Sequence, residues 1–223
     1  MSVKIIRQPT NYLLTGASRG LLLTVDCCEQ LSRYNRSNKL LNVDLNLLNA
    51  FTAANNIQSL AHAIDTLIQS YRLHRKPPFN GDEFAPILFQ HLEEIHGLPE
   101  ATIQTVDQIA NSFQELRQHF SEQMNRDLLL PNVTLSKLLH FVQPISFWIL
   151  DSRVKTVMDI WGYATTFVGF GEMLRDLFSA PDFGDFRTFV ENRNAELVAE
   201  HPIHTLPCSF LKLVDKILWF TKD

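Results

Sequence analysis

At 223 residues the chain is long enough to bury a sizeable core, as one large domain or two small ones. Its 45% hydrophobic and 20% charged residues exclude a disordered or fibrous chain. No apolar run approaches the roughly 18–20 residues that a membrane helix needs. The net charge of -4 hides an asymmetry, because residues 1–80 carry nine Lys/Arg against four Asp/Glu, while residues 81–223 carry eleven against twenty. The basic part permits an anionic partner at one face of an acidic protein.

The first ten residues, MSVKIIRQPT, hold neither a long apolar stretch nor a small-residue cleavage site, so no signal peptide is expected. Residues 11–14 and 21–25 read as short strands. Between them LLTGASRGLLL invites comparison with a dinucleotide-binding turn, but Leu22 and Leu23 stand where a third glycine is needed to open a helix on a pyrophosphate. Tyr34 and Lys39 are also five apart, not four. A turn between two strands at residues 16–20 fits better. Cys27 and Cys28 are adjacent and Cys208 has no obvious partner, which predicts reduced thiols in a cytoplasmic protein.

Helical periodicity then takes over. It predicts helices over 57–71, 84–95 with a stop at Gly97, and about 100–126. Pro77 and Pro78 make residues 74–81 a loop that could separate residues 1–80, a basic and mostly helical part, from residues 81–223. Further helices are expected over 136–142, 152–161, 167–178, 185–200 and 209–221. The fold class is mostly α, with at most a small N-terminal β element. No histidine pair has ligand spacing and no phosphate-binding glycine loop carries a lysine behind it, so neither metal nor cofactor is expected.

The chemistry concentrates in LLLPNVTLSKLLHFVQPISFWILDSRVKTVM, residues 128–158. Leu135, Leu138, Leu139 and Val142 form an apolar stripe that leaves Ser136, Lys137, His140 and Gln143 to one side. A lysine near a helix start, beside the core, can lose its proton and act as an amine nucleophile. Asp151 precedes Val154, Val157, Met158 and Trp161 at helical spacing and reads as an N-cap.

This segment resembles the central element of the helix-hairpin-helix DNA glycosylase superfamily. There a hairpin of the form LPGVG leads into a helix with a lysine or serine, then a loop with proline, then an aspartate that opens a further helix. Ile149-Leu150-Asp151-Ser152-Arg153-Val154-Lys155 is similar to the adenine branch. Ser136-Lys137 and the terminal FLKLVDKILWF are similar to bacterial proteins of the 8-oxoguanine-glycosylase-like branch. Asn132 and Thr134 replace the hairpin glycines, and only 14 residues separate Lys137 from Asp151. An ungapped match also sets Ser136 at the nucleophile position, so lysine-dependent and water-dependent routes both stay open.

The resemblance implies a DNA glycosylase, with or without AP-lyase activity, that excises a modified base flipped from a duplex. Asp151 is then the catalytic carboxylate and Lys137 the Schiff-base amine. Ser136, Asn132, Thr134, Arg153 and Lys155 would face DNA, and Phe147, Trp148, Trp161, Asp215 and Trp219 would border the base pocket. Asp215 reads as an exposed charge beside Lys212 and Lys216 on the polar side of the last helix. A helical nucleic-acid- or protein-binding module that keeps the fold without the chemistry is the competing expectation.

Overall fold

A computed structural model describes residues 3–71, 79–127, 129–199 and 208–219. The chain opens as an antiparallel sheet in the order β1 (Lys4–Gln8), β2 (Asn11–Ser18), β3 (Leu21–Asp26). β1 escapes the sequence reading because it is an edge strand with four of its five residues exposed, so no burial imposes an alternation on it. β2 runs through Gly16 to Ser18, and the turn shrinks to Arg19 and Gly20, both at positive φ (51° and 81°). That is the two-residue geometry whose twist matches its flanking strands.

Eleven helices follow among the described residues: α1 (Cys27–Asn35), α2 (Asn38–Ala53), α3 (Ile57–Ser70), α4 (Gly81–Gln90), α5 (Leu92–His96), α6 (Val106–Gln123), α7 (Asn132–Val142), α8 (Ser152–Trp161), α9 (Phe167–Phe178), α10 (Phe183–Ala199) and α11 (Phe210–Trp219). The protein is mostly helical with a small N-terminal sheet. Most boundaries have a local cause. Asn56 and Asn80 close capping boxes on α3 and α4, Thr166 caps α9, and Gly162 ends α8 in the left-handed conformation. α1 and α2 show little in the sequence, since α2 interrupts its leucines with asparagines that favour turns as readily as helices. Of the loop expected at residues 74–81, residues 74–78 lie outside the described part. Among the described residues no helix is long and apolar enough to cross a membrane.

The start of α7 departs from expectation. Pro131 is its N-cap, and Asn132, Val133 and Thr134 already form its first turn. The segment LPNVT therefore ends in helix, where the resemblance expects a hairpin turn followed by a helix near Ser136.

One cluster of buried apolar side chains includes Val3, Leu14 and Leu31 as well as Phe113, Phe147, Trp148 and Leu218. α11 lies inside it, packed against α1, α8, α10 and β3. The sheet is pinned to α8 by Trp161, whose indole N–H donates to the Leu23 carbonyl at 3.0 Å. Gly16 makes room for that ring, since a Cβ there would lie 2.6 Å from Trp161 Cγ. We therefore expect Gly16→Ala to lower unfolding stability in urea by about 1–3 kcal/mol, the usual cost of overpacking. An unchanged midpoint would show that the ring does not need the vacancy.

Candidate active site

α7 and the segment that returns after it form a ladder of side-chain bonds. The Ser136 hydroxyl donates to the Val133 carbonyl and accepts from the Leu150 N–H at 3.1 Å. His140 Nδ1 meets the Phe147 carbonyl at 2.7 Å. These two rungs fix residues 147–150 against α7, and the residues that follow each end of the first rung, Lys137 and Asp151, are brought face to face. Lys137 Nζ donates to Asp151 Oδ2 at 3.4 Å. Asp151 also caps α8, because its Oδ1 accepts from the Arg153 N–H at 2.7 Å. Its charge therefore sits at the positive end of a helix, and capping and pairing are done by different oxygens of one carboxylate.

Both groups are enclosed, each with 5% of its surface exposed. Burial pushes the Lys137 ammonium below the ordinary lysine value, and Asp151 and Asp215 only partly restore it. Its Nζ also lies 4.2 Å from the centre of the Tyr71 ring.

The pair belongs to a larger buried network. Lys212 Nζ contacts Asp215 Oδ2 at 2.8 Å and Asp44 Oδ1 at 3.2 Å. Asp44 accepts from the phenols of Tyr34 at 2.8 Å and Tyr71 at 3.3 Å. Lys216 donates to the side-chain oxygens of Asn35 and Asn194, both at 3.2 Å. Burial opposes the Lys212 ammonium, yet Asp215 and Asp44 outweigh it and hold its pKa well above the usual lysine range. Burial first, then Asp44, raises Tyr34 well above the normal phenol value. Burial raises Asp215 too, against the pull of Lys212. Its Oδ1 is buried with no hydrogen-bond partner among the described residues.

This corrects the expectation for the last helix. Lys212, Asp215 and Lys216 do share one side of α11, but that side is interior, and Asp215 is only 1% exposed. The apolar residues around them leave α11 no solvent face, so its charges had to find partners within the protein. In sequence FLKLVDKILW is a strongly amphipathic helix whose charged arc reads as a solvent face, so nothing local marks that arc as interior.

The other expected positions divide in two. Arg153 and Trp219 join the site's edge, where the guanidinium donates to the Trp219 carbonyl at 3.2 Å and lies 5.2 Å from its ring. Lys155 is half-buried on α8, and Asn132 is half-buried at the start of α7. Ser136 and Thr134 are buried, and Ser136 spends its hydroxyl on two backbone groups, which leaves it no face for a phosphate. Phe147, Trp148 and Trp161 are fully buried core residues. Trp148 stacks on Phe167 and donates to its carbonyl, Phe147 packs near Phe113, and Trp161 supports the sheet. The aromatics at the amine are instead Tyr71 and, through Asp44, Tyr34; sequence reasoning missed both because neither lies near residues 128–158.

The chain matches no protein-family model, no curated protein and no solved structure. Its own geometry therefore carries the functional argument.

Two outcomes follow from the network. Lys212→Met leaves buried Asp215 and half-buried Asp44 without their cation, and should cost about 3–5 kcal/mol in equilibrium unfolding; a loss under about 1 kcal/mol would mean the pairs are replaceable by water. His140 is pushed down to about 4, mainly by burial and then by Lys212. A histidine held neutral contributes stability above its unfolded value near 6.5, and loses it as pH falls toward 4. The loss is on the order of 3 kcal/mol, so His140→Gln should flatten that part of the stability profile relative to the unaltered protein. Parallel profiles would contradict it.

Proposed function

We propose that the protein is an N-glycosylase acting on a modified base in DNA, with Lys137 and Asp151 as its catalytic pair. The observation that carries this reading is the enclosed contact between an amine of lowered pKa and a carboxylate at a helix N-terminus. The resemblance of residues 128–158 to helix-hairpin-helix glycosylases supports it, since that family uses a lysine and an aspartate in this order.

In the proposed reaction Asp151 Oδ2, already the acceptor of a Lys137 N–H, takes the proton that the ammonium gives up. The freed Nζ lone pair attacks C1′ of the target nucleotide while the C1′–N bond breaks. Its electron pair leaves with the base, which takes the proton from Asp151 and so restores the carboxylate. The Asp151 carboxylate stabilises the positive charge that develops on the sugar. Nζ then gives its extra proton to Asp151, which hands it to the ring oxygen as the bond from that oxygen to C1′ breaks; this leaves an iminium on Nζ, the intermediate of the lyase route. In the water-dependent route Asp151 activates a water and Lys137 supports the leaving group electrostatically.

The enclosure of both groups favours a second reading, a non-catalytic module in which the pair only closes the core. The test is incubation with duplex oligonucleotides that carry a panel of modified bases, followed by assay for abasic sites. We expect cleavage of at least one lesion, slowed by about 10²–10³-fold in Asp151→Asn. Borohydride should trap a covalent adduct that Lys137→Ala abolishes. If no lesion is cleaved, or Asp151→Asn cleaves at the original rate, the second reading takes its place.

A further inference from the structure

A cavity of about 80 Å³ lies between α2, α7, α10 and α11, bordered by Leu45, Phe141, His140, Asn194 and Lys212. It lies on the side of α7 that carries Lys137, since His140 and Phe141 follow that residue at i+3 and i+4. Its walls are largely apolar, and among the polar groups on them one on α7 and one on α10 keep an unused valence.

The first is His140. Its Nδ1 faces the Phe147 carbonyl, which can only accept, so the ring proton sits on Nδ1 and Nε2 offers a lone pair. No described side chain donates to that nitrogen. The second is Asn194. Lys216, which can only donate, meets its Oδ1 at 3.2 Å, as does the Asn35 amide. The carboxamide orientation is thereby fixed, and Nδ2 is left as a donor with no acceptor among the described side chains. One acceptor and one donor thus stand ready on the cavity wall.

Charge decides against an ionic occupant. Lys212 stands between Asp44 and Asp215, Lys137 faces Asp151, and Lys216 is held by two carboxamides. Three lysines are matched by three aspartates, so no excess of one sign marks the cavity for an ion. Size narrows the choice further. A water needs about 10–15 Å³ of such space, so the cavity holds roughly six waters, the equivalent of a single ring and its substituents.

We propose that this cavity binds a neutral, single-ring heterocycle with an –NH–C(=O)– edge, a base of the uracil class, with His140 Nε2 accepting the ring N–H and Asn194 Nδ2 donating to the carbonyl. The biological role of the site rests on the N-glycosylase reading, in which the departing base would lodge here, on the side of α7 that carries Lys137. The binding itself does not depend on that reading.

The test is calorimetric titration of the whole protein with 1-methyluracil, 1-methylcytosine and 9-methylhypoxanthine; each methyl group occupies the nitrogen that would carry the sugar. We expect 1-methyluracil to bind. We expect 1-methylcytosine, which lacks the ring N–H, to bind at least tenfold more weakly, because the His140 acceptor is then left unpaired. The two-ring 9-methylhypoxanthine should be weakened at least as much. Leu45→Trp, which fills the cavity from half-exposed α2, and His140→Phe should each remove binding. No binding of 1-methyluracil, equal binding of 1-methylcytosine, or full binding by Leu45→Trp overturns the site. Binding in a protein that cleaves no oligonucleotide keeps the site and removes the glycosylase reading. Cleavage without 1-methyluracil binding does the reverse.

Discussion

Lys212 is the side chain on which the interior of this protein turns. It reaches from α11 to Asp44 on α2 and holds Asp215 on its own helix. Asp44 in turn accepts from Tyr34 on α1 and from Tyr71 at the end of α3. Ion pairs of this kind add little net stability, because desolvation cancels most of the attraction. Their force is in what they forbid. Rotating α11 by one residue, about 100°, would press Lys212 and Asp215 into leucine and phenylalanine and leave Asp44 with two buried phenols and no cation. The network therefore fixes the rotation of the central helix, and the helices around it must conform.

The same constraint shapes the chemistry available at Lys137. An amine becomes a nucleophile inside a protein when burial disfavours its charge more strongly than its neighbours restore it. Lys212 is equally buried, but two aspartates hold its charge; Lys137 has one aspartate at 3.4 Å and an aromatic face. The difference in carboxylate count separates a lysine whose charge is held from one whose charge burial disfavours, within one cluster. On the proposed reading that division of labour sets Asp215 and Asp44 to hold the frame, and leaves Asp151 to the reaction.

The amino-acid sequence shows the parts whose physics is local. α8 and α9 fall on the residues that helical periodicity marks, and α3 ends within one residue of expectation, because caps and apolar stripes are written within a few positions of one another. Lys137 and Asp151 stand out for the same reason: both lie in one segment, each beside a helix start or an apolar run. α1, α2 and β1 are not legible in this way. Asparagine-rich α2 and edge strand β1 take their conformation from what they pack against.

The sequence by itself determined that the chain is mostly helical, that residues 128–158 carry the candidate amine and carboxylate, and that Asp151 caps a helix. Only the tertiary structure decided which charges are interior. Lys212, Asp215 and Lys216 share a helix face in the sequence, but whether that face meets water or α1 and α2 depends on contacts more than 100 residues away along the chain. It also decided that Phe147, Trp148 and Trp161 seal the core and that Tyr34 and Tyr71 attend the amine network. Aromatic side chains satisfy core and pocket equally well by composition, and only position in three dimensions tells the two apart.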